Sequence, residues 1–284
     1  MFTPMKSEAN PAAASATRQR AKSVGELLKA WRCARRLSQL ELALDVQVSQ
    51  RHLSCVETGR SRPSPELIEQ LAEALAVPLR ERNVLFLAAG YAPRYRESRL
   101  ESAELAKVRQ AIDLILRHQE PYPAFVANRR WDEISVNDAL PRLLGSILGR
   151  PPRHRNILHR IFDPDDVRPV IANWSELAGD LLRHLRRDAA ELHLDDGLQA
   201  LLNDLLAYPG VPDGWRTAST ETQPPPMIET RFHSSTGELR FFSTLTTFAG
   251  AHDLTLDELH IECMFPADDF TARFCRELMT RSGR

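Results

Sequence analysis

Between residues 23 and 90, apolar residues recur every three or four positions in five short runs, the spacing of helices that bury one face. "SVGELLKAWRCARR" puts Leu27, Leu28 and Trp31 on one side. Ser38 stands at the N-cap position of "SQLELALD", and Ser49 at that of "VSQRHLSCVETGR". In "SPELIEQLAEALA", Ser64 is the cap and Pro65 takes the first helical position, where a missing N–H costs nothing; Pro78 follows the end. "RERNVLFLAAG" is closed by Gly90. "YAPRYRESR" (91–99) then predicts a linker, and "ESAELAKVRQAIDLILRHQ" a long helix.

Beyond residue 120 the texture changes. "PAFVANRRWDEISVN" holds two short strand-like runs around an Asn-Arg-Arg turn. Helices are expected at 137–148, 154–162, 170–192 and 196–207. "PMIETRFH" and "LRFFSTLTTFA" flank Thr236 and Gly237 and predict a hairpin, while "QPPP" (223–226) reads as an extended loop. "ELHIECMF" alternates, with Leu259, Ile261, Cys263 and Phe265 on one face, and a last helix covers 267–280. Phe241, Phe242 and Phe248 do not share a face, which a sheet buried on both sides would explain.

These patterns divide the chain into a flexible tail (1–22), an all-α domain (23–92), a linker with a connecting helix (93–119) and an α+β domain (120–284). The 284 residues are 43% hydrophobic and 26% charged, the balance of a soluble globular protein. No apolar run reaches the roughly 18 residues a membrane helix needs. The N-terminal stretch lacks the apolar core of a secretory signal. Cys33, Cys55, Cys263 and Cys275 show no C-x-x-C spacing, which fits free thiols in a reducing cytoplasm. Net charge is −1, but it is unevenly placed. Residues 1–99 carry 16 Lys and Arg against 10 Asp and Glu, a net of +6; the remainder carries 21 against 28, a net of −7. A polyanion partner would therefore meet the first third.

The strongest signal lies in 37–60. A helix of about seven residues, a tight turn and a second short helix match a helix-turn-helix, whose second helix enters the DNA major groove. Leu53 and Val56 form the buried stripe of that helix, with Gln50, Arg51, Ser54 and Cys55 opposite. Gln can read adenine and Arg guanine, each through two hydrogen bonds. Gln39, at the start of the preceding helix, is placed to hold a phosphate. Ser49, His52, Arg60 and Arg62 complete the candidate DNA-contacting set.

Residues 24–77 resemble the lambda-repressor-like (Xre-type) helix-turn-helix regulators of bacteria, on "LSQLELALDVQVSQRHLSCVETGRSRPSPELIEQLAEAL". Ser-Gln opens the second helix, Glu-Leu-Ala lies inside it, and Glu57-Thr58-Gly59 ends the third. The resemblance implies a five-helix domain and an internal ion pair between Arg32 and Glu57. It also implies phosphate contact by Gln39, and base-facing Gln50, Arg51 and Cys55. Two residues depart from the pattern. Gln47 stands where the turn usually has Gly, and a non-Gly residue with positive φ costs roughly 1 kcal/mol. Cys55 is shorter than the polar residue common there, which limits it to a thymine-methyl or van der Waals contact.

The rest resembles the C-terminal domain of MmyB-like transcription regulators, related to PAS sensor domains. The matching stretches are "PAFVANRRWDEISVNDA", "ILHRIFDPDDVRPVIANWSELAGDLLRHLRRDA" and "LRFFSTLTTFAGAHDLTLDELHIECMFPAD". That resemblance implies a small antiparallel sheet wrapped by helices and able to enclose a small, mostly apolar, lipid-like effector. Phe125, Trp131, Trp174, Phe241 and Leu245 are the candidate pocket wall. Plain core is the competing reading for each of them.

No H-E-x-x-H, G-x-S-x-G or P-loop occurs, so neither catalysis nor a required cofactor is expected. His154 and His159 are five apart, a poor spacing for two ligands on one helix face, and no metal site is assigned. "DPDD" (163–166) reads as a turn. The expectation is a bacterial, cytoplasmic, nucleoid-associated DNA-binding regulator. It binds a double-stranded operator as a homodimer, without membrane contact, and answers to a small-molecule effector. Two other readings stay open: an antitoxin-like module autoregulating its own promoter while residues 100–284 bind a partner protein, and an enzyme with a DNA-tethering head.

Overall fold

Serine starts each of the first four helices. In the computed structural model, which describes residues 22–191, 196–217, 227, 229–248 and 250–280, α1 (Val24–Ala34) is capped by Ser23 and α2 (Gln39–Asp45) by Ser38. Each cap is reciprocated, by Glu26 and Glu41 respectively, so two orphan backbone N–H groups are satisfied at each start. Ser49 caps α3 (Gln50–Glu57), and Ser64 caps α4 (Pro65–Ala74), with proline in its first turn. α5 spans Leu79–Ala88. All five helices stop in one way: the next residues turn left-handed and return an N–H to the last turn. Glycine does this at Gly59 and Gly90 (φ 73° and 77°), but Arg36, Gln47 and Ala76 adopt φ 57°, 57° and 48° without it. Val48 N–H donates to Ala43 and Val77 N–H to Ala72, closing those turns at 2.9 and 2.8 Å. The positive φ expected at Gln47 is present.

The chain separates into two compact units. One runs to Val77 and includes Val84–Ala92; the other takes Pro78–Asn83 and everything from Pro93. In the first, Leu28, Leu42, Leu53, Val56, Ile68 and Leu71 are buried completely or nearly so. Gly25 lets α1 meet α3: a Cβ there would lie 2.3 Å from the Val56 carbonyl oxygen. Arg35 donates to the Leu75 carbonyl at 3.0 Å, capping the end of α4.

The second unit begins its long helix later than expected, as α6 (Ala106–Gln119). Residues 100–105 are held in turns instead, with the Arg109 guanidinium donating to the Leu100 and Ser102 carbonyls. Then come β1 (Ala124–Ala127), β2 (Glu133–Val136), α7 (Ala139–Leu148), α8 (Ile157–Phe162), a short 3-10 turn (Arg168–Val170) and α9 (Trp174–Glu191). α10 (Asp196–Ala207), α11 (Gly214–Thr217), β3 (Glu229–Ser234), β4 (Gly237–Thr247), α12 (Leu254–Asp257), β5 (His260–Pro266) and α13 (Asp269–Thr280) complete it. The expected loop at 223–226 and most of the N-terminal tail lie outside the described residues.

The strands form one antiparallel sheet in the order β2-β1-β5-β4-β3. Both faces are covered. On one, Ala124, Val126, Ile261 and Cys263 pack against Ile112 and Leu116 of α6, so the helix read as a connector is part of the core. On the other, Phe125, Phe232, Phe241 and Met264 pack against α7, α8, α9 and α13. The alternation of "ELHIECMF" therefore sends Leu259, Ile261 and Cys263 to one layer and Met264 to the other. The three phenylalanines divide accordingly: Phe241 joins the helix-covered face, Phe248 the α6 face, and Phe242 stacks on Phe265. Among the described residues no helix is long and apolar enough to cross a membrane.

Candidate functional site

α3 is fastened from below and open above. Leu53 and Val56 are buried, at 1% and 0% exposure, while Gln50, Arg51 and His52 in its first turn are exposed. Ser54 and Cys55 are half-buried at the edge of that surface. The Ser49 hydroxyl accepts the His52 N–H at 3.1 Å, so its side chain serves the helix start. Arg60 is exposed just past the helix. Arg62 is already engaged: its guanidinium lies 4.3 Å from the Tyr91 ring centre and donates to the Gly90 carbonyl at 3.1 Å. Those contacts hold it to the α5 end of the unit.

Glu57 closes α3 against α1. Arg32 meets it with two hydrogen bonds, Nε to Oε1 at 2.6 Å and Nη2 to Oε2 at 2.9 Å, while Arg32 Nη1 donates to the Leu37 carbonyl. The Gln39 amide donates to Glu57 Oε2 at 2.8 Å. One carboxylate therefore fixes both the arginine of α1 and the first residue of α2. Burial works against its charge, but the bonds from Arg32 and Gln39 outweigh that and hold its pKa below the ordinary carboxylate range.

The second unit holds a cavity of about 100 Å³ between the sheet and α7, α8 and α9. Its walls are mostly apolar: Phe125 and Trp131 from the sheet side, Leu140 and Leu144 from α7, Ile161 from α8 and Leu177 from α9. Trp131 reaches it from the turn after β1. Asn128 builds that turn by accepting the Arg130 and Asp132 N–H groups, and Trp131 takes φ 64°. Three polar residues also line the cavity, namely Arg160, Thr230 and Glu262. Arg160 is bound to Glu133 at 2.6 Å and to the His154 carbonyl at 2.5 Å.

Of the five expected wall residues, Phe125 and Trp131 line this cavity and three do not. Phe241 is completely buried and stands edge-on to Phe232, as plain core. Trp174 is fixed elsewhere: Arg168 lies 3.6 Å over its ring, the Trp215 ring lies tilted against it at 5.6 Å, and its indole N–H donates to the Ile161 carbonyl. Leu245 is 59% exposed and borders a separate groove with Asp257, Glu258 and His260. Arg160 and Glu262 escaped the sequence reading. The available signal was Glu262 itself, an acid on the strand face opposite Ile261 and Cys263.

His154 and His159 find local partners, Asp163 at 2.7 Å and the Tyr208 hydroxyl at 2.9 Å. Among the described residues no group of three or more His, Cys, Asp or Glu is arranged to hold a metal ion.

Comparison with known proteins agrees with this geometry. Residues 28–82 match the helix-turn-helix family, and residues 108–278 match the MmyB-like transcription regulator ligand binding domain. A 123-residue stretch, 42% of this chain, is 32% identical to the HTH-type transcriptional repressor RghR of Bacillus subtilis (strain 168) and spans 84% of that protein. A solved RNA-binding light-oxygen-voltage receptor aligns over 91% of this chain and 62% of its own, at 14% identity and a TM-score of 0.27, too slight a likeness to carry an argument. These matches define a DNA-binding transcription regulator with a ligand-binding domain. The chain belongs to the MmyB-like transcription regulators.

Proposed function

We propose that this regulator reads a specific duplex with α3 and alters its DNA affinity when a small, mostly apolar effector fills the cavity. The observation that carries the first half is the open face of α3. Gln50 and Arg51 project from a first turn whose orientation is set by buried Leu53 and Val56 and by the Arg32–Glu57 pair. Arg51 suits a guanine edge and Gln50 an adenine edge, through two hydrogen bonds each. Cys55 offers only a short apolar contact. Gln39 keeps its carbonyl and a second N–H beyond the bond to Glu57, and together with Arg60 serves the phosphates.

One such helix reads only a few base pairs. The chain therefore works as a homodimer on two half-sites about one helical turn (~34 Å) apart. The effector acts by linkage: it shifts DNA affinity by its preference between two arrangements of the protein, and by no more. No cofactor is required for either step, and the work is done in the bacterial cytoplasm.

The test starts from a duplex selected out of a random pool. Arg51→Ala should cost roughly 1–3 kcal/mol of binding and relax one base position, whereas Gln39→Ala should weaken all duplexes alike. Unchanged affinity in Arg51→Ala would refute the placement of α3. Sedimentation of the chain with that duplex should show two chains per site; one per site would refute the dimer.

A further inference from the structure

Glu262 sits on the cavity side of β5, facing Phe125 of β1 and Leu245 of β4 in the strand register. Its partner is the Ser243 hydroxyl on β4. Nearby carboxylates each have an arginine: Glu133 has Arg160 at 2.6 Å, Glu229 has Arg240 at 2.8 Å and Glu258 has Arg80 at 2.5 Å. Among the described residues Glu262 has none. Arg160, the other ionisable residue on the cavity wall, is neutralised by Glu133. The charges around the cavity therefore leave one carboxyl without a cation, in a space walled mostly by aromatic and aliphatic side chains.

We propose that the effector is a short apolar amine and that Glu262 binds its ammonium group. This rests on the reading of the cavity as the effector site. An ammonium would give Glu262 the charge-assisted hydrogen bonds that its neighbours already have. A neutral ligand would leave the carboxyl as it is, and a carboxylate ligand would meet like charge. Size limits the ligand body. A dry cavity of about 150 Å³ holds a benzene, so about 100 Å³ leaves room only for a short chain of a few carbons. Burial pushes the Glu262 carboxyl above its ordinary pKa, against the hydrogen bond from Ser243. An ammonium beside it works the other way and favours the ionised form. His260, two residues along the same strand face, is held down at about 4 by burial.

Calorimetric titration of the full chain with n-butylamine, n-butanol and butyrate decides the matter. Butylamine should bind about tenfold more tightly than butanol, with butyrate weakest. Glu262→Gln should erase the amine preference and leave the butanol affinity within about twofold. In the unsubstituted chain, butylamine affinity should rise as the pH is raised from the ordinary carboxylate range, while butanol affinity stays level; this arm stands even if the variant does not fold. Equal binding of amine and alcohol, a preference for butyrate, or an amine preference that survives Glu262→Gln would overturn the proposal and leave the effector cavity standing. If none of the three binds, the cavity reading falls and the proposal with it.

Discussion

Replacing Glu57 by Gln is the sharpest test of how the helical unit is held together. The side chains of Arg32 and Glu57 are 10% and 1% exposed. The substitution removes the carboxylate charge and one of the two oxygens that accept the three bonds from Arg32 and Gln39, while Arg32 keeps the Leu37 carbonyl at 2.8 Å. A glutamine amide offers a single acceptor and turns its NH2 toward other donors. Breaking a buried pair from one side costs about 3–5 kcal/mol, because the remaining charge is stranded. The retained carbonyl bond argues for the lower end, about 3 kcal/mol. Removing both partners together, as Arg32→Met with Glu57→Leu, strands nothing and should cost clearly less than the sum of the single changes. A two-unit chain need not unfold in one step. Amide hydrogen exchange over residues 24–60 is therefore the assay, since it reports the opening of this unit by itself. The same pair adds an acid signature. Glu57 has a lowered pKa, so its contribution is complete above the ordinary 4.5 and is lost as pH falls through its folded value. A cost under about 1 kcal/mol for Glu57→Gln, or strict additivity in the double variant, would refute this account.

Gly25→Ala should lower the stability of the same unit by about 1–3 kcal/mol, seen as faster exchange in α1 and α3, because its Cβ would meet the Val56 and Glu57 carbonyls at 2.3 and 2.7 Å. Ala76→Gly acts the other way. It relieves a left-handed residue worth about 1–2 kcal/mol and gives back part of that through a looser unfolded chain, a net gain of about 0.5 kcal/mol measurable as a higher unfolding midpoint. His260 is buried, and among the described residues its Nε2 has no hydrogen-bond partner; burial lowers its pKa from 6.5 to about 4. The unfolded chain takes up a proton there that the folded chain refuses. Stability of the second unit should fall by up to about 3 kcal/mol between about pH 6.5 and pH 4, and His260→Phe should flatten that slope in a pH series of unfolding curves.

The helical unit was legible because its rules are local. Ser38, Ser49 and Ser64 announce their helices within three residues, and the faces of α3 follow from one turn of spacing. The partnership of Arg32 with Glu57 came from family resemblance, since 25 positions separate the two. What could not be read was how the side chains share partners. Gln39 looked like a phosphate ligand and is also a donor to Glu57; Arg62 looked like a DNA contact and also lies on Tyr91. In the second unit the strands and most helices were visible, but the cavity wall depends on strand order. Leu245 and Glu262 lie opposite each other in the register, yet one is largely exposed and the other faces the cavity. Trp174 was drawn away by Arg168 and Trp215, both outside its own helix.

The strand order β2-β1-β5-β4-β3 has a consequence for how the ligand-binding unit is made. β1 pairs with β2 and β3 with β4 through neighbouring sequence, so each pair is a hairpin that can form as soon as it leaves the ribosome. Neither is more than marginally stable alone. Only β5 borders both, and it is the last strand translated. Until it emerges, the two hairpins have no common sheet, and the cavity that their faces share has no floor. The helical unit, complete by Ala92, has been synthesised well before then. The DNA-binding part of the molecule can therefore be finished while the ligand-binding part is still two unjoined halves.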